Sequence, residues 1–179
     1  MLLGMEESVT RMQRLLDRLK GDTPTTRADG LVDFARLLGD SLRNRFSEDA
    51  NVRLELESTT ALPIAGDPDR LTALSGHLLR NAIDAAGPEG EITVRLERRG
   101  ESSLFEVRDN GPGMTPEFAH ERMTHPFRSS KARGLGIGLY ECRQLARELG
   151  GRLAIDSAPG RGTVARVWLP LAEVCDVPE

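Results

Sequence analysis

The sequence predicts an α/β protein with two layers, in which helices cover one face of a mixed, mostly antiparallel sheet. Two observations carry this prediction. Segments in which apolar residues alternate with polar ones are separated by segments with helical periodicity, and strands return through short polar turns such as residues 97–102. Short returns make antiparallel hairpins, and amphipathic helices must bury their apolar side against the sheet. A helix with a heptad pattern is expected to precede this two-layer sandwich.

Composition places the chain among globular proteins of ordinary size. Its 179 residues suit one domain with an appendage, and 39% hydrophobic against 29% charged residues favours a folded core. The net charge is −4 with acids and bases interspersed, so no nucleic-acid partner is expected. Cys142 and Cys175 lack metal-ligand spacing, which favours a reduced, cytoplasmic setting. No apolar run reaches membrane-spanning length, so we expect no direct membrane contact, although a parent protein with a membrane anchor is compatible with this sequence.

Residues 1–20 are predicted to form a helix with an apolar seam. Apolar residues recur every seven positions in two sets, Leu2, Val9 and Leu16, and Met5, Met12 and Leu19. Two interpretations stay open: the seam packs on a partner helix, including a second copy through residues 2–19, or the helix lies on its own domain. A linker at 21–28, a main domain at 29–172 and a tail at 173–179 complete the predicted organisation.

The main domain is predicted to alternate strands and helices. Helices are expected at 33–47, from Asp67-Pro68 to about Ala86, and at 137–149; strands are expected at 52–56, 92–96, 104–108, 152–157 and 162–169.

The helix at 67–86 carries a polar stripe beside its apolar face. At about 100° per residue, His77, Asn81 and Asp84 fall within about 60° of one another. An asparagine carbonyl oxygen is a suitable protein ligand for Mg²⁺, which takes few protein oxygens when it binds with a nucleotide. The alternative is an exposed polar edge without a ligand.

A second candidate segment is Asp109-Asn-Gly-Pro-Gly113, which follows a predicted strand. Phe105, Val107 and Asp109 share one face of that strand, so the carboxylate points toward the core and needs a donor. The exocyclic amine of adenine is such a donor, whereas guanine presents a carbonyl there. Gly111 and Gly113 permit a tight turn beside a flat base. The alternative is an ordinary surface Asn-Gly turn.

A third candidate segment, Gly134-Leu-Gly-Ile-Gly138, leads directly into a helix. Glycine amides at a helix N-terminus favour phosphate, while the spacing fits neither a Walker A loop nor a dinucleotide fingerprint. Residues 114–133 show no clear periodicity, which predicts a lid or a disordered loop. In a lid, the cations could neutralise phosphate and Phe127 could latch it onto the body. His120 and His125 are one residue too far apart for a zinc-protease helix motif.

Together these segments resemble the GHKL ATP-binding family, with its Bergerat fold, and within it the catalytic domain of bacterial sensor histidine kinases. Residues 77–86 resemble the N box, 109–113 the G1 box, 126–127 the F box, 134–138 the G2 box and 160–163 the closing glycine segment. The resemblance covers about residues 25–170.

The resemblance implies ATP and Mg²⁺ as cofactors and gives each segment a role. Asn81 would bind Mg²⁺, Asp109 the adenine amine, Gly113 and Thr163 the base, and Gly136, Gly138 and Lys131 the phosphates. The remaining nucleotide-site candidates are Asp84, Gly111, Phe127, Gly134, Leu135 and Leu139. With Asn81, His77 is a candidate catalytic residue. Many kinases of the family have asparagine at this position, and the ATPases of the family have a glutamate that activates water. Histidine matches neither group. His77 could therefore belong to the shell of residues around Mg²⁺, act as a base, or simply lie at the edge of the helix.

The implied activity is transfer of the ATP γ-phosphoryl group to a histidine that this chain does not supply. Residues 1–20 resemble the end of a dimerisation helix pair, and His120-Glu121 fits the acceptor dipeptide only formally because it lies in the lid. The implied partners are the chain's own or a partner's dimerisation and phosphoacceptor domain and a response-regulator receiver domain. The alternatives are a protein-serine kinase of the same fold and a non-catalytic ATP-binding interaction module.

Overall fold

The computed structural model describes residues 30–45, 51–56, 61–127 and 136–172. In these ranges the elements are β1 (Leu31–Asp33), α1 (Phe34–Arg45), β2 (Asn51–Leu56), β3 (Pro63–Ala65), α2 (Pro68–Ala86), β4 (Glu91–Arg99), β5 (Ser102–Asp109), α3 (Pro116–Thr124), α4 (Gly138–Glu148), β6 (Arg152–Ser157) and β7 (Thr163–Pro170). The predicted heptad helix at 1–20, the linker and the tail lie outside the described residues, as do Lys131, Gly134 and Leu135.

Five strands form one mixed sheet in the order β2-β4-β5-β7-β6. The β2–β4 pair is parallel, and the β4–β5, β5–β7 and β6–β7 pairs are antiparallel. Alternate side chains of β4 and β5 are buried in register, with Val94 opposite Val107 and Leu96 opposite Phe105. This arrangement confirms the predicted mixed, mostly antiparallel sheet.

The helices pack on the face of the sheet that carries these apolar side chains. The ring of Phe34 on α1 meets Phe105 on β5 edge to face, with centroids 5.5 Å apart. Four of the five predicted apolar positions on α2, Leu71, Leu74, Leu78 and Ala82, are buried, and the fifth, Ala85, is half-buried. The opposite face of the sheet carries ion pairs such as Glu106–Arg166, so the two-layer prediction is confirmed.

Helix α2, which carries the polar stripe, begins and ends at local signals in the sequence. The Asp67 carboxylate accepts a hydrogen bond from the Asp69 amide at 2.8 Å, Pro68 occupies the first turn, and Gly87 follows the helix with φ 74°. The predicted span therefore agrees with the structure. No helix among the described residues, α2 included, combines the length and apolar character that crossing a membrane requires.

Two local features differ from the predictions. The stretch at 114–133 was expected to lack regular structure, but α3 occupies Pro116–Thr124. The sequence signal for this helix is the cap at Thr115 followed by Pro116. The helix buries only Ala119, so its sequence shows no apolar periodicity from which it could be predicted. Strands β1 and β3, of three residues each, pair antiparallel in a separate sheet and are too short to show alternation. Because β1 ends at Asp33, the helix that was expected from residue 33 begins at Phe34.

Candidate functional site

The polar stripe of α2 lies at the edge of the helical layer. Asn81 is half-buried, and its Nδ2 is fully enclosed without a hydrogen-bond partner among the described residues. Asp84, one turn further along the helix, is exposed. A buried amide group without a partner is costly, so the Asn81 side chain is suited to a ligand that supplies one.

Helix α4 begins directly beside Asn81. A Cβ atom placed on Gly138 would lie 3.3 Å from Asn81 Nδ2, so glycine permits this close approach. Gly136 has φ 67°, and Ile137 at the N-cap makes no side-chain capping hydrogen bond, so an anion would be a suitable partner for the first amides of α4. Leu139, predicted as a nucleotide contact, is 4% exposed and packs in the core, which leaves its backbone amide for that role.

Asp109 lies at the end of β5, below the last turn of α2. It is 6% exposed, and its Oδ1 accepts a hydrogen bond from the Gly111 amide at 3.0 Å. A Cβ atom on Gly111 would lie 2.6 Å from the Ala85 carbonyl oxygen, so glycine is required where this turn passes under α2. The inward orientation predicted from the strand pattern is therefore confirmed.

Hydrogen bonds of Ser157, a residue that was not predicted from the sequence, connect the turn after Asp109 to the β6–β7 turn. The Ser157 hydroxyl is 8% exposed; it accepts from the Met114 amide at 2.9 Å and donates to the Gly162 carbonyl at 3.0 Å. It also lies 2.9 Å from the hydroxyl of Thr163, the residue that pairs with Asp109 across β5 and β7. Thr163 is thus held beside Asp109 by the sheet register.

His77 has a carboxylate partner that was not predicted. Its Nδ1 lies 3.2 Å from Oε2 of Glu141, in the first turn of α4. The sequence has a histidine and not a carboxylate at position 77, and the packing of α2 on α4 brings the distant Glu141 beside it. No signal in the sequence pairs these two residues.

The structure brings six of the described candidates into two neighbouring groups. Asn81 and Gly138 meet between α2 and α4, and Asp109, Gly111, Gly113 and Thr163 meet below the end of α2. Phe127, the predicted latch, is 59% exposed and has φ 67°.

The two groups offer different chemistry. The Asp109 end presents a buried carboxylate beside glycine backbone, which suits the amine edge of a flat base. The Asn81 end presents a half-buried carboxamide beside the N-terminus of α4, which suits phosphate oxygens and a cation that accompanies them. A purine nucleotide with Mg²⁺ therefore fits the residues present.

Comparisons with known proteins agree with this geometry. Residues 66–173 match the family described as histidine kinase-, DNA gyrase B- and HSP90-like ATPases. Sensor histidine kinase ZraS of Escherichia coli strain K12 is 33% identical over 172 residues, which cover 93% of this chain and 37% of ZraS. Sensory histidine kinase/phosphatase NtrB of Escherichia coli O157:H7 is 32% identical over 178 residues, which cover 92% of this chain and 50% of NtrB. The chain thus spans half or less of these two relatives.

Solved structures show the same fold. The mycobacterial sensor histidine kinase MprB superimposes with a TM-score of 0.71 at 26% identity, covering 82% of this chain and 100% of that one. The catalytic domain of histidine kinase ThkA gives a TM-score of 0.70 at 21% identity, covering 80% of this chain and 96% of that one. The family match takes in more than half of the sequence and includes both groups of candidate residues. The chain therefore belongs to the family of histidine kinase-, DNA gyrase B- and HSP90-like ATPases.

Proposed function

We propose that this chain is the ATP-binding catalytic domain of a two-component sensor histidine kinase. The family membership supports ATP as the ligand, and relatives that are named sensor histidine kinases support this activity over a serine kinase or a non-catalytic module. The observation that carries the proposal is the buried Asp109 carboxylate at the closed end of the site.

Asp109 is proposed to select adenine. Its carboxylate accepts hydrogen bonds only, and the Gly111 amide already occupies one site on Oδ1. The 6-amino group of adenine would donate to the carboxylate, whereas guanine would place a carbonyl oxygen against it. Gly113 and Thr163 would line the base on the side where the two turns meet.

Asn81 is proposed to serve the phosphate end. Its carboxamide lies against Gly138, so Oδ1 would take one position on Mg²⁺ while Nδ2 donates to a phosphate oxygen. The bound cation would neutralise phosphate charge, and the open amides at the start of α4 would face the same phosphates. Lys131, Gly134 and Leu135 would complete this end from the lid side, and Phe127 would close it; Asp84 would lie at its solvent edge.

The proposed partners are those of two-component signalling in general. A dimerisation domain with a phosphoacceptor histidine would receive the γ-phosphoryl group, and a receiver domain of a response regulator would take it on. Residues 2–19 are proposed to contact a partner helix or a second copy of the chain.

Calorimetry with ATP and GTP tests the proposed function. Wild type should bind Mg-ATP and discriminate against Mg-GTP. Asp109→Asn replaces one carboxylate oxygen by an NH2 group, which is a hydrogen-bond donor like the adenine amine and cannot accept from it. The affinity for ATP should therefore fall roughly ten- to a hundredfold.

Glu106→Gln is the matched control for this measurement. It neutralises a carboxylate on the same strand, but the side chain pairs with Arg166 on the opposite face of the sheet. Its ATP affinity should equal that of wild type. Equal binding of ATP and GTP by wild type, or an unchanged affinity in Asp109→Asn, would contradict the role of Asp109.

A further inference from the structure

An antiparallel seam joins α2 to α4 and leads toward the candidate phosphate end. Arg70 pairs with Glu148 at 3.0 Å at the far end of the seam, and His77 pairs with Glu141 at 3.2 Å further along. One helical turn beyond that pair on each helix, Asn81 lies against Gly138. The two ion pairs thus join the same helices at different distances from the site.

The two pairs differ in burial. The His77 and Glu141 side chains are 16% and 12% exposed, whereas those of Arg70 and Glu148 are 29% and 40% exposed. A mostly buried ion pair contributes little net stability, because desolvation offsets the attraction. It does restrict geometry, because separating the two side chains removes a contact between two mostly buried polar groups. The inner pair therefore restrains the spacing of the helices close to Asn81.

We propose that His77 and Glu141 are positioning residues for the phosphate end of the nucleotide. Their contact holds the first turn of α4, and the amides that precede it, at a fixed distance from Asn81. The inference rests on the proposed function, since it assigns a role relative to bound Mg-ATP. It assigns no contact with the nucleotide to either side chain: the pair acts through the helix start that it fixes.

The test compares Glu141→Ala with Glu148→Ala, since each variant deletes one ion pair from the same seam. Calorimetry measures the affinity for Mg-ATP and for adenosine, which lacks phosphates. Glu141→Ala should weaken Mg-ATP binding about tenfold, because small displacements of binding groups are costly, and leave adenosine binding unchanged. Glu148→Ala should bind both ligands like wild type. Glu141→Gln keeps an acceptor for the Nδ1 hydrogen of His77 and should restore most of the Mg-ATP affinity.

Each outcome bears on one proposal. Equal Mg-ATP affinity in Glu141→Ala and Glu148→Ala would overturn the positioning role, as would a loss of adenosine and ATP binding in equal measure. Failure of wild type to bind Mg-ATP would instead overturn the proposed function. If Glu141→Ala does not fold, Glu141→Leu, which retains the volume without the carboxylate, carries the same expectation.

Discussion

Two glycines with similar backbone conformations are predicted to differ in their tolerance of a side chain. Gly100 and Gly113 have φ of 60° and 67°, which costs about 1–2 kcal/mol for an alanine. A Cβ atom on Gly100 would meet nothing within 4 Å, whereas one on Gly113 would lie 2.0 Å from the Ala158 carbonyl oxygen. Gly113→Ala should therefore lower the free energy of unfolding by more than Gly100→Ala does.

Urea denaturation of both variants measures this difference, with Gly100→Ala as the control for backbone conformation alone. Gly113→Ala should also weaken ATP binding, because the turn that it disturbs carries Asp109 at its start. Equal losses of stability in the two variants would show that the turn after Asp109 shifts freely away from the β6–β7 turn.

The carboxamide of Asn81 is predicted to act through the metal. Its Oδ1 is a suitable Mg²⁺ ligand, and its Nδ2, which has no hydrogen-bond partner among the described residues, would donate to a phosphate oxygen of the same nucleotide. Asn81→Ala should weaken nucleotide binding roughly tenfold in magnesium and clearly less in EDTA. Calorimetry under both conditions checks this, and an identical loss in magnesium and EDTA would remove Asn81 as the magnesium ligand.

At the scale of elements, the sequence predicted those helices and strands whose signals are local. Asp67, Pro68 and Gly87 delimit α2, and alternation marks β4 and β5. Helix α3 was not predicted because most of its side chains are accessible to solvent, so its sequence has no apolar periodicity. Its main local signal is the cap at Thr115. Strands β1 and β3 were not predicted because three residues are too few to show a period of two.

In the candidate site, too, the sequence predicted only those features whose signals lie within one helix or one strand. Asp109 follows from alternation along one strand, and Asn81 from the spacing of one helix face. Two contacts of the site join residues that are distant in the chain. Ser157 and Met114 are 43 positions apart, and His77 and Glu141 are 64 positions apart. Periodicity within one element carries no information about such pairs, so only the packed structure reveals them.

At the scale of the whole molecule, we expect the chain to supply a nucleotide site but not the histidine that accepts the phosphoryl group. Phosphoryl transfer depends mainly on placing the nucleophile in line with the γ-phosphorus. Of the chain's three histidines, His77 is held against Glu141, and His120 and His125 lie exposed on and just after α3. Glu141 lies 3.2 Å from the His77 imidazole, and its engagement with that ring argues against a role in activating water.

We therefore expect the isolated chain to bind ATP and barely turn it over. Incubation with γ-labelled ATP should leave it unlabelled, whereas adding a dimerisation domain that carries an acceptor histidine should yield an acid-labile, base-stable phosphohistidine on that domain. Asp109→Asn, incubated with the same acceptor domain at an ATP concentration near the Kd of wild type, is the control and should strongly reduce the label, since transfer requires the bound nucleotide. Rapid hydrolysis by the chain alone would place it with the ATPases of its family, and self-labelling on serine or threonine would favour a serine kinase. Label on His120 would show that α3 presents this imidazole to the γ-phosphoryl group, contrary to the assignment of the acceptor to another domain.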